Sequence, residues 1–66
     1  MKIDEGTLHL LRLASREADK DGWAKVSGVV WLAVRRIPSD LVELREDGSG
    51  FYVRLTEGGK AIVAYA

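Results

Sequence analysis

No cysteine occurs in the 66 residues of this chain, which excludes a disulfide and a thiolate-held metal, the usual supports of a very small domain. A chain of this length buries only about 60% of the surface its unfolded form exposes. Its core must therefore come from packing alone or from a partner subunit. Histidine occurs once, at His9, beside a leucine stripe; without a second histidine or a cysteine it reads as a helix-surface residue and not as a ligand or a catalytic base. No apolar run approaches the roughly 20 residues of a membrane span, and the start Met1-Lys2-Ile3-Asp4-Glu5 is too acidic and polar for a secretory signal. The carboxylates fall in mixed-charge runs, and the glycines at 48, 50, 58 and 59 fit no phosphate-binding pattern. These absences lead us to expect a cytoplasmic protein without membrane association, metal, cofactor or enzymatic activity.

Net charge is lacking as well: ten basic side chains balance ten acidic ones, so bulk electrostatics alone would not hold the chain to a polyanion. The distribution is uneven. Residues 1–22 carry four bases against five acids, and residues 38–66 three against five. Residues 23–37 hold Lys25, Arg35 and Arg36 and no acid. The positive charge is therefore concentrated in the middle of the chain.

The strongest pattern lies between Asp40 and Lys60. Two alternating runs, residues 41–46 and 51–55, flank Asp47-Gly48-Ser49-Gly50, where the Asp-Gly pair predicts a tight hairpin because glycine takes the positive φ such a turn needs. Alternation points Val42, Leu44, Phe51, Val53 and Leu55 inward and leaves Glu43, Arg45, Tyr52 and Arg54 outside, where Glu43 can pair with Arg54 or Arg45. Thr56 then caps a helix whose Ala61, Ile62 and Tyr65 return to the core. Gly58 and Gly59 in its first turn imply close approach of another backbone.

Upstream, Leu8, Leu11, Ala14 or Ser15, and Ala18 recur at helical spacing, widened by Leu10 and Leu13, so a helix is expected over 5–19 with Asp4 or Thr7 at its start. Asp19-Lys20-Asp21-Gly22 ends it. Trp23-Ala24-Lys25-Val26 reads as a short strand with Trp23 and Lys25 on one face. Ser27 suits an N-cap for a helix over 28–37, whose stripe is Val30, Ala33 or Val34, and Ile37, stopped by Pro38. Its β-branched content also suits a strand; length, cap and proline favour the helix. Trp31 and Arg35 share one side of it, Leu32 and Arg36 the next. The arginines either complement the helix dipole or face a phosphate backbone or base edges.

Helix, short strand, helix, hairpin, helix is the order of a winged helix-turn-helix domain. The string LVELREDGSGFYVRLTEGGKAIV, about a third of the chain, resembles the wing and following helix of MarR-type and PadR-type transcriptional regulators. Leu55, Thr56 and Gly59 occupy that group's leucine-threonine-x-x-glycine helix start. Those regulators place two helices between first strand and wing; here residues 27–40 hold one helix and a turn, so the helix-turn-helix is either compressed or abbreviated. The resemblance implies a single α+β winged-helix domain over residues 1–66 that binds double-stranded DNA. It puts Arg35 and Arg36 on the element entering or skirting the major groove, and Ser49, with Arg45 and Arg54, on the wing. With Lys25, Ser27 and Trp31 these complete the candidate DNA-binding set. A module this small offers few contacts, so a homodimer is expected. The alternative is the same fold used as a protein-interaction module, favoured by neutral charge, two tryptophans and the acids Glu46 and Asp47 in the wing.

Overall fold

The computed structural model describes residues 4–65, so residues 1–3 of the acidic N-terminal stretch lie outside it. Six elements follow in order: α1 (Glu5–Glu17), β1 (Trp23–Val26), α2 (Gly28–Val34), β2 (Val42–Asp47), β3 (Gly50–Leu55) and α3 (Glu57–Tyr65). The three strands form one antiparallel sheet in the order β1-β3-β2. This is the α+β class and element order that the sequence patterns imply. No helix among the described residues is long and apolar enough to cross a membrane.

Local chemistry explains most of the boundaries. Asp4 caps α1 by accepting from the Thr7 N–H at 2.7 Å, leaving Thr7 in the first turn. α1 stops two residues short of the expected end because Asp19 leaves the helix to organise a turn. Its carboxylate accepts from the N–H groups of Asp21 at 2.8 Å and Trp23 at 3.0 Å, and Gly22 completes the reversal at φ 88°. Ser27 caps α2, accepting from Val30 N–H at 3.3 Å. α2 ends at Val34 and not at Ile37. The backbone then tightens, with Arg36 N–H donating to Ala33 at 3.2 Å and Ile37 N–H to Val34 at 3.1 Å, as expected where the residue before Pro38 is kept out of the helical region.

The core is one cluster: Leu11 and Ala14 of α1, Ala24 of β1, Val34 and Ile37, Leu41 and Val42, and Val53 and Leu55 of β3. Trp31 packs at its edge, stacked on Phe51 with ring centroids 4.9 Å apart. The radius of gyration, 10.8 Å, is that of a single folded body of this length, about 11 Å.

Three expectations are corrected. Leu44, placed inward by alternation, is 40% exposed, because the helices pack mainly on β1 and β3 while β2 lies at the sheet edge. Ala61 and Tyr65 do not return to the core: Ala61 is exposed and Tyr65 is 92% exposed. Gly59 is the buried residue of α3, and its helical neighbours at i+3 and i+4, Ile62 and Val63, are half-buried. Finally, the hairpin glycine with positive φ is Gly50, at 141°, not Gly48. Asp47 and Gly50 form the last pair of the ladder, and the Asp47 carboxylate holds the turn by accepting from Ser49 N–H at 2.8 Å.

The close approach read from Gly58 and Gly59 is present. A Cβ on Gly59 would overlap the carbonyl oxygen of Leu41, and one on Gly58 would lie 2.9 Å from that of Asp40. Thr56 fastens the same junction, its N–H donating to Leu41 at 3.0 Å and its hydroxyl to the Asp40 carbonyl. The hydroxyl oxygen also accepts from Gly59 N–H at 3.2 Å, so one side chain caps α3 and ties it to the start of β2.

Candidate functional site

The strand order divides the candidate residues between two surfaces. Because β1 pairs with β3 and β3 with β2, the register sets Trp23 opposite Arg54 and Arg54 opposite Glu43, and sets Lys25 opposite Tyr52 and Tyr52 opposite Arg45. Directly opposed residues share a face, and α1, α2 and α3 pack on the other face, where the buried Ala24, Val53 and Leu55 lie. Lys25, Arg45 and Arg54 therefore stand together on the outer face of the sheet.

On that face the arginines lie over aromatic rings. The Arg45 guanidinium is 4.7 Å from the Trp23 ring centroid and 4.5 Å from that of Tyr52, and the Arg54 guanidinium is 4.5 Å from Trp23. The open choice for Glu43 resolves toward Arg54, whose Nε donates to Glu43 Oε2 at 2.6 Å and whose Nη2 approaches the same oxygen. Both side chains are well exposed, so the pair contributes only ~0.2–1 kcal/mol. Arg45 Nε lies 3.5 Å from Asp47 Oδ2. Lys25 makes no ion pair among the described residues, and its stem runs over Gly50, where a Cβ would come within 2.9 Å of Lys25 Cε.

Ser49, expected at the tip of the wing, is engaged within the turn. Its hydroxyl donates to Asp47 Oδ1 at 2.6 Å, which leaves the Tyr52 hydroxyl to donate to Ser49 Oγ, also at 2.6 Å. Ser27 is occupied as the cap of α2, and Trp31 lies half-buried on Phe51. Arg35 and Arg36 form the second surface. Both are exposed at the end of α2 and make no ion pair among the described residues. They border a shallow groove with Leu32, Ala33 and Ile37 on one side and Asp4, Thr7 and Leu10 of α1 on the other.

Two features escaped the sequence reading. Trp23 supports both arginines, which follows only once β1 is known to pair with β3, and Tyr52 lies under Arg45 as its partner within the hairpin. Val29 and Leu32, 80% and 63% exposed, make the open side of α2 apolar as well as basic; the stripe Val30, Val34 and Ile37 marks the buried side, and of the two pairs Trp31/Arg35 and Leu32/Arg36 it left open which would look away.

Two carboxyl groups are held below the ordinary value of 3.8. Asp4 is lowered by the Thr7 N–H it accepts, and Asp47 by the Ser49 hydroxyl, then by the Ser49 N–H and Arg45. Each binds its proton more weakly in the folded state than in the unfolded one, so its contribution is present above pH 3.8 and lost as pH falls through the lowered folded value. The melting temperature is therefore expected to drop between about pH 5 and pH 2, and Asp4→Asn and Asp47→Asn should each shrink the drop. A drop left intact in both variants would assign it to other carboxylates.

Neither a protein-family model nor a curated protein nor a solved structure matches the chain.

Proposed function

We propose that the chain is a small cytoplasmic DNA-binding protein of winged-helix type, a transcriptional regulator that grips duplex DNA as a homodimer through the end of α2. The hairpin has an auxiliary part in this reading. The observation that carries it is the pair Arg35 and Arg36, both exposed, both without an ion pair among the described residues, at the end of the segment 23–37, which holds three bases and no acid. Arginines so placed can reach phosphate oxygens or guanine edges without first breaking an internal bond. Val29 and Leu32 on the same helix suit thymine methyl groups. The hairpin tip is a weaker contact, since Asp47 is acidic and Ser49 is committed to it.

The exposure of Val29 and Leu32 also favours a second reading, a protein partner docked on α2. Titration of labelled random and genomic duplexes, followed by fluorescence anisotropy, separates the two. Duplex binding with dissociation constants of about 1–100 μM, weakening as salt rises, is expected. Absence of binding at low salt up to about 100 μM would remove the DNA reading and leave the protein partner.

A further inference from the structure

We infer that the outer face of the sheet is a separate binding surface for single-stranded nucleic acid, with unpaired bases stacking on the layer that the guanidinium groups of Arg45 and Arg54 form over the rings of Trp23 and Tyr52, and with Lys25 and the free guanidinium donors contacting the phosphates. The surface is distinct from the end of α2, and the inference does not depend on duplex binding there. It rests on how the three strands combine. Two aromatic and three cationic side chains come from all three strands onto one face that no helix covers. The two residues with rings sit on adjacent rows of the ladder, Trp23 in the row of Arg54 and Tyr52 in the row of Lys25 and Arg45, so bases stacked above them would come from neighbouring nucleotides. Every base has a π-face, so such a platform accepts any sequence.

The arginines are prepared for this ligand. A guanidinium stacked on a ring keeps its in-plane N–H groups directed outward. Glu43 takes Nε and Nη2 of Arg54, and Asp47 lies only near Nε of Arg45, at 3.5 Å. Donors therefore remain on both guanidinium groups, and the Lys25 ammonium adds a third cation. Within the strands the face carries three cations against the two carboxylates of Glu43 and Asp47, and Asp21, Glu57 and Lys60 border it beside Arg54. A duplex would meet the charges but could not stack on the layer, because its bases are stacked and paired. A strand with free bases satisfies both.

The test uses a labelled ten-nucleotide oligothymidylate, an abasic strand of equal length and a duplex, titrated at low salt against the full chain. The oligothymidylate is expected to bind at least tenfold more tightly than the abasic strand, since stacking one base is worth roughly a tenfold change or more. Lys25→Ala and Arg45→Ala at exposed positions, and Tyr52→Leu at a half-buried one, each checked for folding by circular dichroism, should weaken it several-fold or more. Arg35→Ala with Arg36→Ala should leave it unchanged, which separates this surface from the one at α2. In a Trp31→Phe background the remaining tryptophan, Trp23, should be quenched as the strand binds. Equal affinity for the abasic strand, or a Trp23 signal that does not respond, would overturn the inference. So would affinity that falls only with the α2 arginines.

Discussion

Gly59→Ala is expected to destabilise the domain by about 2–3 kcal/mol, lowering its melting temperature by roughly 10–20 °C. Helix propensity argues for the opposite sign, because alanine is better than glycine inside a helix by about 1 kcal/mol. The packing decides. The new Cβ would overlap the Leu41 carbonyl oxygen, which already accepts from Thr56 N–H at 3.0 Å and belongs to a fully packed part of the core. α3 cannot back away without breaking the Thr56 contacts to Asp40 and Leu41. Gly6→Ala supplies the control, since its Cβ would meet nothing nearer than Asp4 Oδ1 at 3.6 Å. That change should be neutral or stabilising by up to about 1 kcal/mol. Thermal melts should therefore show a large fall for Gly59→Ala and an unchanged or raised midpoint for Gly6→Ala. A Gly59→Ala variant as stable as the parent would mean that α3 does not rest on Leu41.

The second large effect concerns binding. Arg35→Ala combined with Arg36→Ala should weaken duplex binding by about 10- to 100-fold at low salt and lower the slope of log affinity against log salt by about 2, one unit for each lost phosphate contact. Neither side chain has an internal partner among the described residues, so the melting temperature should stay close to that of the parent. Arg45→Ala with Arg54→Ala removes as much charge from the outer face of the sheet and should cost the duplex much less. Equal losses in the two double variants would mean that duplex affinity follows total charge and has no seat at α2.

Much of the fold was legible because punctuation and periodicity agree. Asp4, Ser27 and Thr56 each stand where a helix begins, and all three accept the expected backbone N–H. β1 matches the run Trp23 to Val26 residue for residue. The misjudged points depend on contacts between distant segments. The inward side of α3 is set by Gly59 against Leu41, which puts Ile62 and Val63 inward and Tyr65 out, whereas the apolar spacing of Ala61, Ile62 and Tyr65 fits either orientation. Leu44 alternates correctly, yet it lies on an edge strand that the helices leave open.

The candidate residues were legible as types but not as groups. Lys25, Arg45 and Arg54 come from three segments, and only the β1-β3-β2 order unites them with Trp23 and Tyr52. Of the candidate set, Trp31 is spent on Phe51 and Ser49 on Asp47, while Ser27 is spent on the cap that its position already predicts. Arg35 and Arg36 stayed free for a local reason. The helix ends just before them, and Pro38 turns the chain so that Ile37, not an arginine, enters the core.

The most direct measurement is an amide chemical-shift titration of the full chain with a short duplex at low salt. If the end of α2 is the duplex contact, the largest shifts fall on residues 28–37, above all at Arg35 and Arg36, with smaller ones at the hairpin turn. Shifts absent from that segment, or gathered only on β1 and β3, would contradict it.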